Sequence, residues 1–246
     1  KIICIEYVMM KHVKKVHEAY PSATIWHNDT KKIEGTTNVE DAGLSGGSPE
    51  NNDGAGLNWL LYTAPARALM RVKNVASELG AEATISACVC SAYVYTLTTP
   101  GDAAVYRIFK PWEEGTQTAA DCESPGCSFN DWACDDNEWT TAGCNSADDE
   151  GSDNSGDGTG ADRKATAEDT ETIDADDSWY GWSISSALAQ AWYDETANEN
   201  GVALAGVGTV YAACYSTEHD GDQPFWVFTY TTGEPEAAGA IIFINQ

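Results

Sequence analysis

The sequence is short of positive charge. Its 246 residues hold 13 Lys+Arg against 39 Asp+Glu, a formal charge of −26. A surface so acidic repels phosphate backbones and anionic headgroups, which argues against nucleic acid as a partner. No run of about 18 apolar residues occurs, so no helical membrane insertion is expected. No basic-then-apolar leader is present and the chain opens on Lys1, which fits a processed, secreted, soluble chain. Histidine is scarce. His12, His17, His27 and His219 include no metal-binding spacing beyond the loose His12/His17 pair, and no Cys-x-x-Cys pair supports a zinc site. No segment repeats another.

What is present is enough for a core. Apolar residues make up 42% and charged ones only 21%, so this is no disordered acidic tail. The charge is divided. Residues 1–32 hold six of the basic residues and only Glu6, Glu18 and Asp29 as acids, while Glu113–Asp177 holds 20 acids against Arg163 and Lys164. A basic arm thus precedes an acidic body, which suits a salty or calcium-bearing medium.

The body reads as short strands between Gly-rich turns: Ala23–His27, Asn58–Tyr62, Ala68–Asn74, Thr84–Leu97, Ala104–Phe109, Trp179–Ile184, Val202–Ala205, Val210–Cys214 and Phe225–Tyr230. One amphipathic helix is predicted at Ser185–Tyr193, where Ile184, Leu188, Ala191 and Trp192 recur at helical spacing. The fold class is therefore all-β, an antiparallel jelly-roll-like β-sandwich with one short helix. Two long polar stretches, Asp29–Gly56 and Gly115–Thr172, read as loop insertions. The expected organisation is an N-terminal arm at 1–20, a sandwich at 21–230 with a Cys-rich acidic insertion at about 115–172, and a linker with a C-terminal apolar strand at 231–246. Lys1–Met10 reads as a strand, or residues 6–20 as an amphipathic helix.

Eight cysteines are present: Cys4, Cys88, Cys90, Cys122, Cys127, Cys134, Cys144 and Cys214. An even count with four in one polar stretch points to disulfides and an oxidising compartment. Cys88 and Cys90 share one face of a strand and are expected to take distant partners such as Cys214 or Cys4. The run 148–158 is rich in oxygen ligands. Asp153, Ser155, Asp157 and Gly158 match the first half of a calcium loop, although Lys164 stands where an EF-hand has its closing Glu. Asp148, Asp149, Asp153 and Asp157 are the candidate calcium ligands, with a solvated linker as the alternative. Trp132 and Trp139 lie in the polar insertion and are candidate glycan contacts, whereas Trp182, Trp192 and Trp226 sit at strand or helix core positions. Asn28-Asp29-Thr30 is a glycosylation sequon at Asn28. Gly43-Leu44-Ser45-Gly46-Gly47 matches a nucleophile elbow by letters but lacks the strand and helix that the elbow needs. Glu218-His219-Asp220 reads as a solvated turn.

Several pieces, in order, resemble the DNRLRE-type secreted β-sandwich domains, which are related to carbohydrate-binding modules. Arg67-Ala68-Leu69-Met70-Arg71-Val72 is similar to that family's Arg-x-Leu-x-Arg-Phe strand, with Val72 in place of the usual Phe. Ile85–Tyr95 resembles its long central strand. Arg107-Ile108 with Pro111-Trp112-Glu113-Glu114-Gly115-Thr116 is similar to its strand and Trp-x-Glu-Gly-Thr. Trp182 to Ser186, then Gln190-Ala191-Trp192, resembles its strand and short helix, with one residue added. Asn200-Gly201-Val202 with Leu204, Ser216 with Glu218, and Pro224, Trp226, Phe228 and Tyr230 resemble its closing strands. The resemblance spans roughly Ser22–Tyr230 and implies an extracellular jelly-roll-like sandwich that binds polysaccharide or serves as a structural module.

The function expected first is a structural subunit of an extracellular filament. Spare apolar segments at both ends, with Ile3, Ile5 and Tyr7 in one and Ile241, Ile242, Phe243 and Ile244 in the other, are candidate polymer contacts. Each suits donor-strand addition to another copy of the chain, giving a homopolymer. The alternative is a secreted carbohydrate-binding module. A polysaccharide-degrading enzyme ranks last, because no acid–base constellation is present and the chain reads as non-enzymatic. Calcium is the one cofactor expected.

Overall fold

A computed structural model describes residues 27–62, 66–123, 125–134, 137–147 and 160–232; of His27 and Asn28 only the backbone is described. The described elements are β1 (His27–Glu34), β2 (Val39–Ser45), β3 (Asn51–Asn52), β4 (Asn58–Tyr62), β5 (Ala66–Val72), α1 (Val75–Leu79), β6 (Ala83–Thr99), β7 (Gly101–Arg107), β8 (Ala120–Asp121), β9 (Asp131–Ala133), β10 (Asn137–Glu138), β11 (Asp169–Ile173), β12 (Ser178–Ile184), α2 (Ser186–Tyr193), β13 (Val202–Val207), β14 (Tyr211–Tyr215) and β15 (Phe225–Thr232). Eleven of the described strands form one curled antiparallel sheet in the order β1-β15-β6-β14-β4-β5-β13-β7-β11, with β12 also on β6 and β2 also on β5. The chain is all-β and sandwich-like, as its strand pattern predicts.

β6 is the pivot. Its first half lies between β15 and β12, and its second half pairs with β14. The register with β15 shifts at Thr229/Tyr230, opposite Ala87 and Ile85. The extra residue changes the parity of the strand. Ala83 and Ile85 face inward before the bulge, and Cys88, Cys90, Ala92 and Val94 after it. The main core also takes Trp59, Leu61, Met70, Trp182, Leu204, Trp226 and Phe228. Burying each large apolar side chain stabilises the fold by roughly 1.5–3 kcal/mol. Trp182 is wholly buried, and its indole N–H donates to the Ala103 carbonyl at 2.8 Å, so its polar atom is satisfied.

Helix α2 closes one end of the core through Leu188, Ala189 and Trp192. Gln190 fastens it to the start of β6, accepting from Ile85 N (2.7 Å) and donating to Ala83 O (3.2 Å). The short helix α1, absent from the sequence reading, begins where the Glu199 carboxylate accepts from the backbone N–H groups of Asn74 (3.0 Å) and Val75 (2.9 Å). That carboxylate arrives from 124 residues away. Gly201 is required: its φ is +70°, and a Cβ there would strike the Met70 carbonyl.

Both predicted insertions need correction. Asp29–Gly56 is no loop, because β2, β3 and most of β1 lie in it. Gly115–Thr172 holds β8, β9, β10 and most of β11, and much of it packs as a layer. Ile108, Trp112, Cys127, Trp139 and Cys144 form a second apolar cluster against Ala42, Leu44, Leu69 and Ala203 on the far face of β2, β5 and β13. Alternation decides which core each residue serves. On β5, Ala68, Met70 and Val72 enter the main core, while Leu69 enters the second. Arg67 and Arg71 share Leu69's face. Arg67 donates to Cys144 O (3.1 Å) and Asn145 Oδ1 (3.3 Å), and Arg71 lies over the Trp112 ring at 4.7 Å. The buried Asp162 clamps the far turn, accepting from the N–H groups of Thr140 (2.8 Å), Thr141 (3.0 Å) and Ser146 (2.9 Å).

The expectation of general disulfide bonding is also corrected. One disulfide, Cys122–Cys134, is formed among the described residues, while Cys88, Cys90, Cys127, Cys144 and Cys214 are buried free thiols. Register explains Cys214. It pairs with Val94, four residues along β6 from Cys90, which is about 13 Å at strand rise and beyond the roughly 7 Å Cα limit of a disulfide.

Candidate functional site

Two features meet at the turn after β14, which carries His219 of one and Glu218 of the other. The first is a row of aromatic rings on the outer face of the sheet. Tyr93 and Tyr95 alternate with inward-facing residues of β6, so both point outward. Tyr215 ends β14 and stacks on Tyr95 (centroids 4.4 Å apart) and alongside Tyr93 (5.8 Å). Trp179, opposite Tyr93 in the β12 register, meets it edge-on at 5.3 Å and meets Phe225 at 4.8 Å. His219 stacks on Tyr215 at 3.5 Å, and its Nδ1–H donates to Gly221 O (2.7 Å). Trp179 is 41% exposed, the remaining rings are half-buried, and Lys32 lies over Phe225 at 4.2 Å. Partial desolvation and the Asp177 and Asp222 carboxylates hold the Tyr93 phenol above its usual range, so acids rim the row.

The second feature is a triad of carboxylates. Asp41, Glu114 and Glu218 each offer an oxygen within 4.8 Å of the others. Asp41 sits on β2 with the parity of Val39, hence on the main-core face, and is 1% exposed. Its Oδ2 accepts from Thr217 N (2.8 Å) and Trp59 Nε1 (3.4 Å), while its buried Oδ1 accepts no hydrogen bond. Among the described residues β2 pairs with β5 alone, and on its other edge the Asp41 N–H donates to Glu114 Oε1 at 2.8 Å. Glu114 is delivered by the 111–116 loop, which Asn52 holds by donating to Glu114 O (2.7 Å) and Cys127 O (2.8 Å). Glu218 comes from the turn after β14, pinned by Ser216 Oγ donating to Gly56 O (2.5 Å) and by Gln223 Nε2 donating to Thr217 O (2.5 Å). Burial, then the Glu218 and Glu114 charges, push the Asp41 carboxyl far above the carboxylate range. Burial with Glu218 and Glu40 pushes Glu114 up to about 8, and burial raises Glu218. Such a group holds either protons or a cation.

Of the residues singled out in the sequence, Trp139 is corrected. It is 4% exposed, and its indole N–H donates to Ser128 O (3.0 Å), so it is second-core packing rather than a glycan contact. Trp132 is half-buried against the same cluster. Asp148, Asp149, Asp153 and Asp157, the terminal residues Ile3, Ile5, Tyr7, Ile241, Ile242, Phe243 and Ile244, and Cys4 lie outside the described residues, as does the side chain of Asn28. Ser45 ends β2 and enters a turn, not the helix of a nucleophile elbow. The sequence reading missed Asp41, Tyr93, Tyr95 and Tyr215. The signal for Asp41 was available: it is an acid at an inward-facing position of Val39-x-Asp41-x-Gly43. Among the described residues, no helix is long and apolar enough to cross a membrane. No protein-family model matches the chain, and no curated protein matches it, so the chemistry of the site rests on its own residues.

Proposed function

We propose that this domain is a secreted carbohydrate-binding module that takes a neutral polysaccharide along the Tyr95–Tyr215–Tyr93–Trp179–Phe225 row. The observation that carries the reading is the continuity of that row over four ring contacts with Trp179 exposed. Aromatic faces cover the apolar faces of sugars, and a continuous row suits a chain of sugars better than a single one. The carboxylates of Asp177 and Asp222 beside it can accept hydrogen bonds from hydroxyls. A charge of −26 repels uronates and sulfated chains, which favours the neutral class. The Cys122–Cys134 disulfide suits an extracellular setting. The resemblance to DNRLRE-type domains points the same way.

Affinity electrophoresis and calorimetry against neutral and uronate polysaccharides test this. Trp179→Ala removes one stacking face, worth about 1.5–3 kcal/mol, and is expected to weaken binding about tenfold to a hundredfold. Absence of binding to every neutral polysaccharide at millimolar sugar refutes the reading.

A filament subunit is the second reading. One observation favours it: among the described residues β1 pairs with β15 alone, an edge position of the kind that a donated strand extends. Deleting residues 240–246 and 1–10 together and finding fibres by electron microscopy refutes strand donation.

A further inference from the structure

We propose that Asp41, Glu114 and Glu218 form a binding site for one divalent cation of the calcium type, formed where β2, the 111–116 loop and the turn after β14 meet. Calcium takes oxygen ligands at about 2.3–2.6 Å, so ligands around one ion lie up to about 5 Å apart. Three carboxylate oxygens within 4.8 Å of one another have that spread. Magnesium, with oxygens at about 2.0–2.1 Å, demands a tighter set.

The buried Asp41 supplies the second argument. A buried carboxylate oxygen normally has a hydrogen-bond donor. Both donors that reach Asp41 go to Oδ2, and Oδ1 has none. An ion supplies what that atom lacks. The neighbouring cations are otherwise engaged: Arg71 and Lys73 both pair with Glu40, and Lys73 also donates to Thr36 O (3.1 Å). The alternative occupant is the proton, consistent with the raised carboxyls. A cation competes with protons for the same oxygens, so the two accounts differ in what calcium does.

The three ligands come from positions far apart in the chain, so the ion ties three segments together, and Glu218 adjoins His219 at the end of the aromatic row. The site needs no sugar, and its test is independent of glycan binding.

The test uses the full chain, freed of metal by chelator, at an ionic strength of ~0.15 M to screen non-specific attraction. Trp59, whose N–H reaches Asp41, is a built-in antenna for terbium luminescence. Calcium titration by calorimetry is expected to report one site, and terbium to show tryptophan-sensitised emission that calcium displaces. Glu218→Gln is expected to weaken both about tenfold or more, because ligand charge sets affinity. The double variant Asp153→Asn/Asp157→Asn is expected to keep them. Glu218 is half-buried, so this near-isosteric change retains the fold by circular dichroism even if Asp41→Asn does not. No calcium-displaceable emission from the wild type, full affinity in Glu218→Gln, or a loss confined to the Asp153/Asp157 variant each overturns the proposal.

Discussion

Replacing Asn52 by Leu removes one side chain that holds three segments in place. Asn52 is wholly buried and all four of its hydrogen-bonding positions are used. Its amide donates to Glu114 O (2.7 Å) and Cys127 O (2.8 Å), and its carbonyl accepts from Gly54 N (3.3 Å) and Gln117 N (3.2 Å). Leu keeps the branching of Asn, so no cavity opens, and the loss combines the polar term with the strain of fitting the bulkier methyl groups. Four hydrogen bonds at about 0.5–1.5 kcal/mol each give about 2–6 kcal/mol, and the orphaned backbone groups push the value toward the upper half. The expected loss is about 4 kcal/mol. Urea denaturation measures it as a lower midpoint at unchanged m. Asn52→Asp separates shape from hydrogen bonding. It presents an oxygen to two carbonyls, so it is expected to be at least as destabilising at neutral pH and partly relieved in acid, where a protonated carboxyl donates again. Because Asn52 fixes the Glu114 carbonyl, Asn52→Leu is also expected to weaken calcium binding. A loss below about 1 kcal/mol for Asn52→Leu refutes the account.

Asp162→Ala frees the three N–H groups of the 140–146 turn, with an expected loss of about 2–4 kcal/mol by denaturant titration and faster amide exchange at Thr140, Thr141 and Ser146. Burial pushes the Glu168 carboxyl up, but hydrogen bonds from Ser185 and the Lys164 ammonium outweigh it and hold it below its usual value. A depressed acid stabilises the fold above its unfolded pKa and loses that contribution as pH falls through the folded one. Glu168→Gln is therefore expected to lower the melting temperature at neutral pH and to match the wild type in strong acid; an equal deficit at both refutes the sign. Burial pushes the Cys90 and Cys144 thiols up to about 12. These and Cys88, Cys127 and Cys214 are expected to resist alkylation in the native protein and to react on unfolding without reductant; an intact mass showing them oxidised refutes this. Reducing Cys122–Cys134, which closes a 12-residue separation, is expected to cost about 3 kcal/mol.

The strands legible in the sequence are those whose alternation is apolar. Asn58–Tyr62 was located to the residue, and Trp179–Ile184 and helix α2 to within one. β1 and β11 escaped because, among the described side chains, each carries a single buried apolar residue, Ile33 and Ile173 respectively. Their remaining positions are polar, as sheet-edge strands commonly are. Trp139 was misjudged for a related reason. A Trp among acids and glycines reads as exposed, and only the packing of the insertion onto Leu44, Leu69 and Ala203 gives it an interior. The motif pieces that carry the family resemblance prove to be anchors: Arg67 and Arg71 hold the insertion, Gln190 the helix, and the Trp112 N–H the Asn200 carbonyl at 2.7 Å.

By itself the sequence determined the all-β class, the position of the helix and the acidic character, because periodicity and composition are local properties. It also placed a disulfide within the polar insertion. Tertiary structure alone decided which cysteines bond: register across β6 keeps Cys214 away from Cys90, while the packing of the insertion brings Cys122 to Cys134. It alone assembled the carboxylate triad: Glu114 lies 73 residues from Asp41, and Glu218 follows Thr217, itself 176 residues from Asp41. It alone aligned aromatics from four strands into one row. The row is made by strand neighbours and the triad by one strand, a loop and a turn, and an antiparallel sheet with long connections sets such neighbours by folding rather than by sequence proximity.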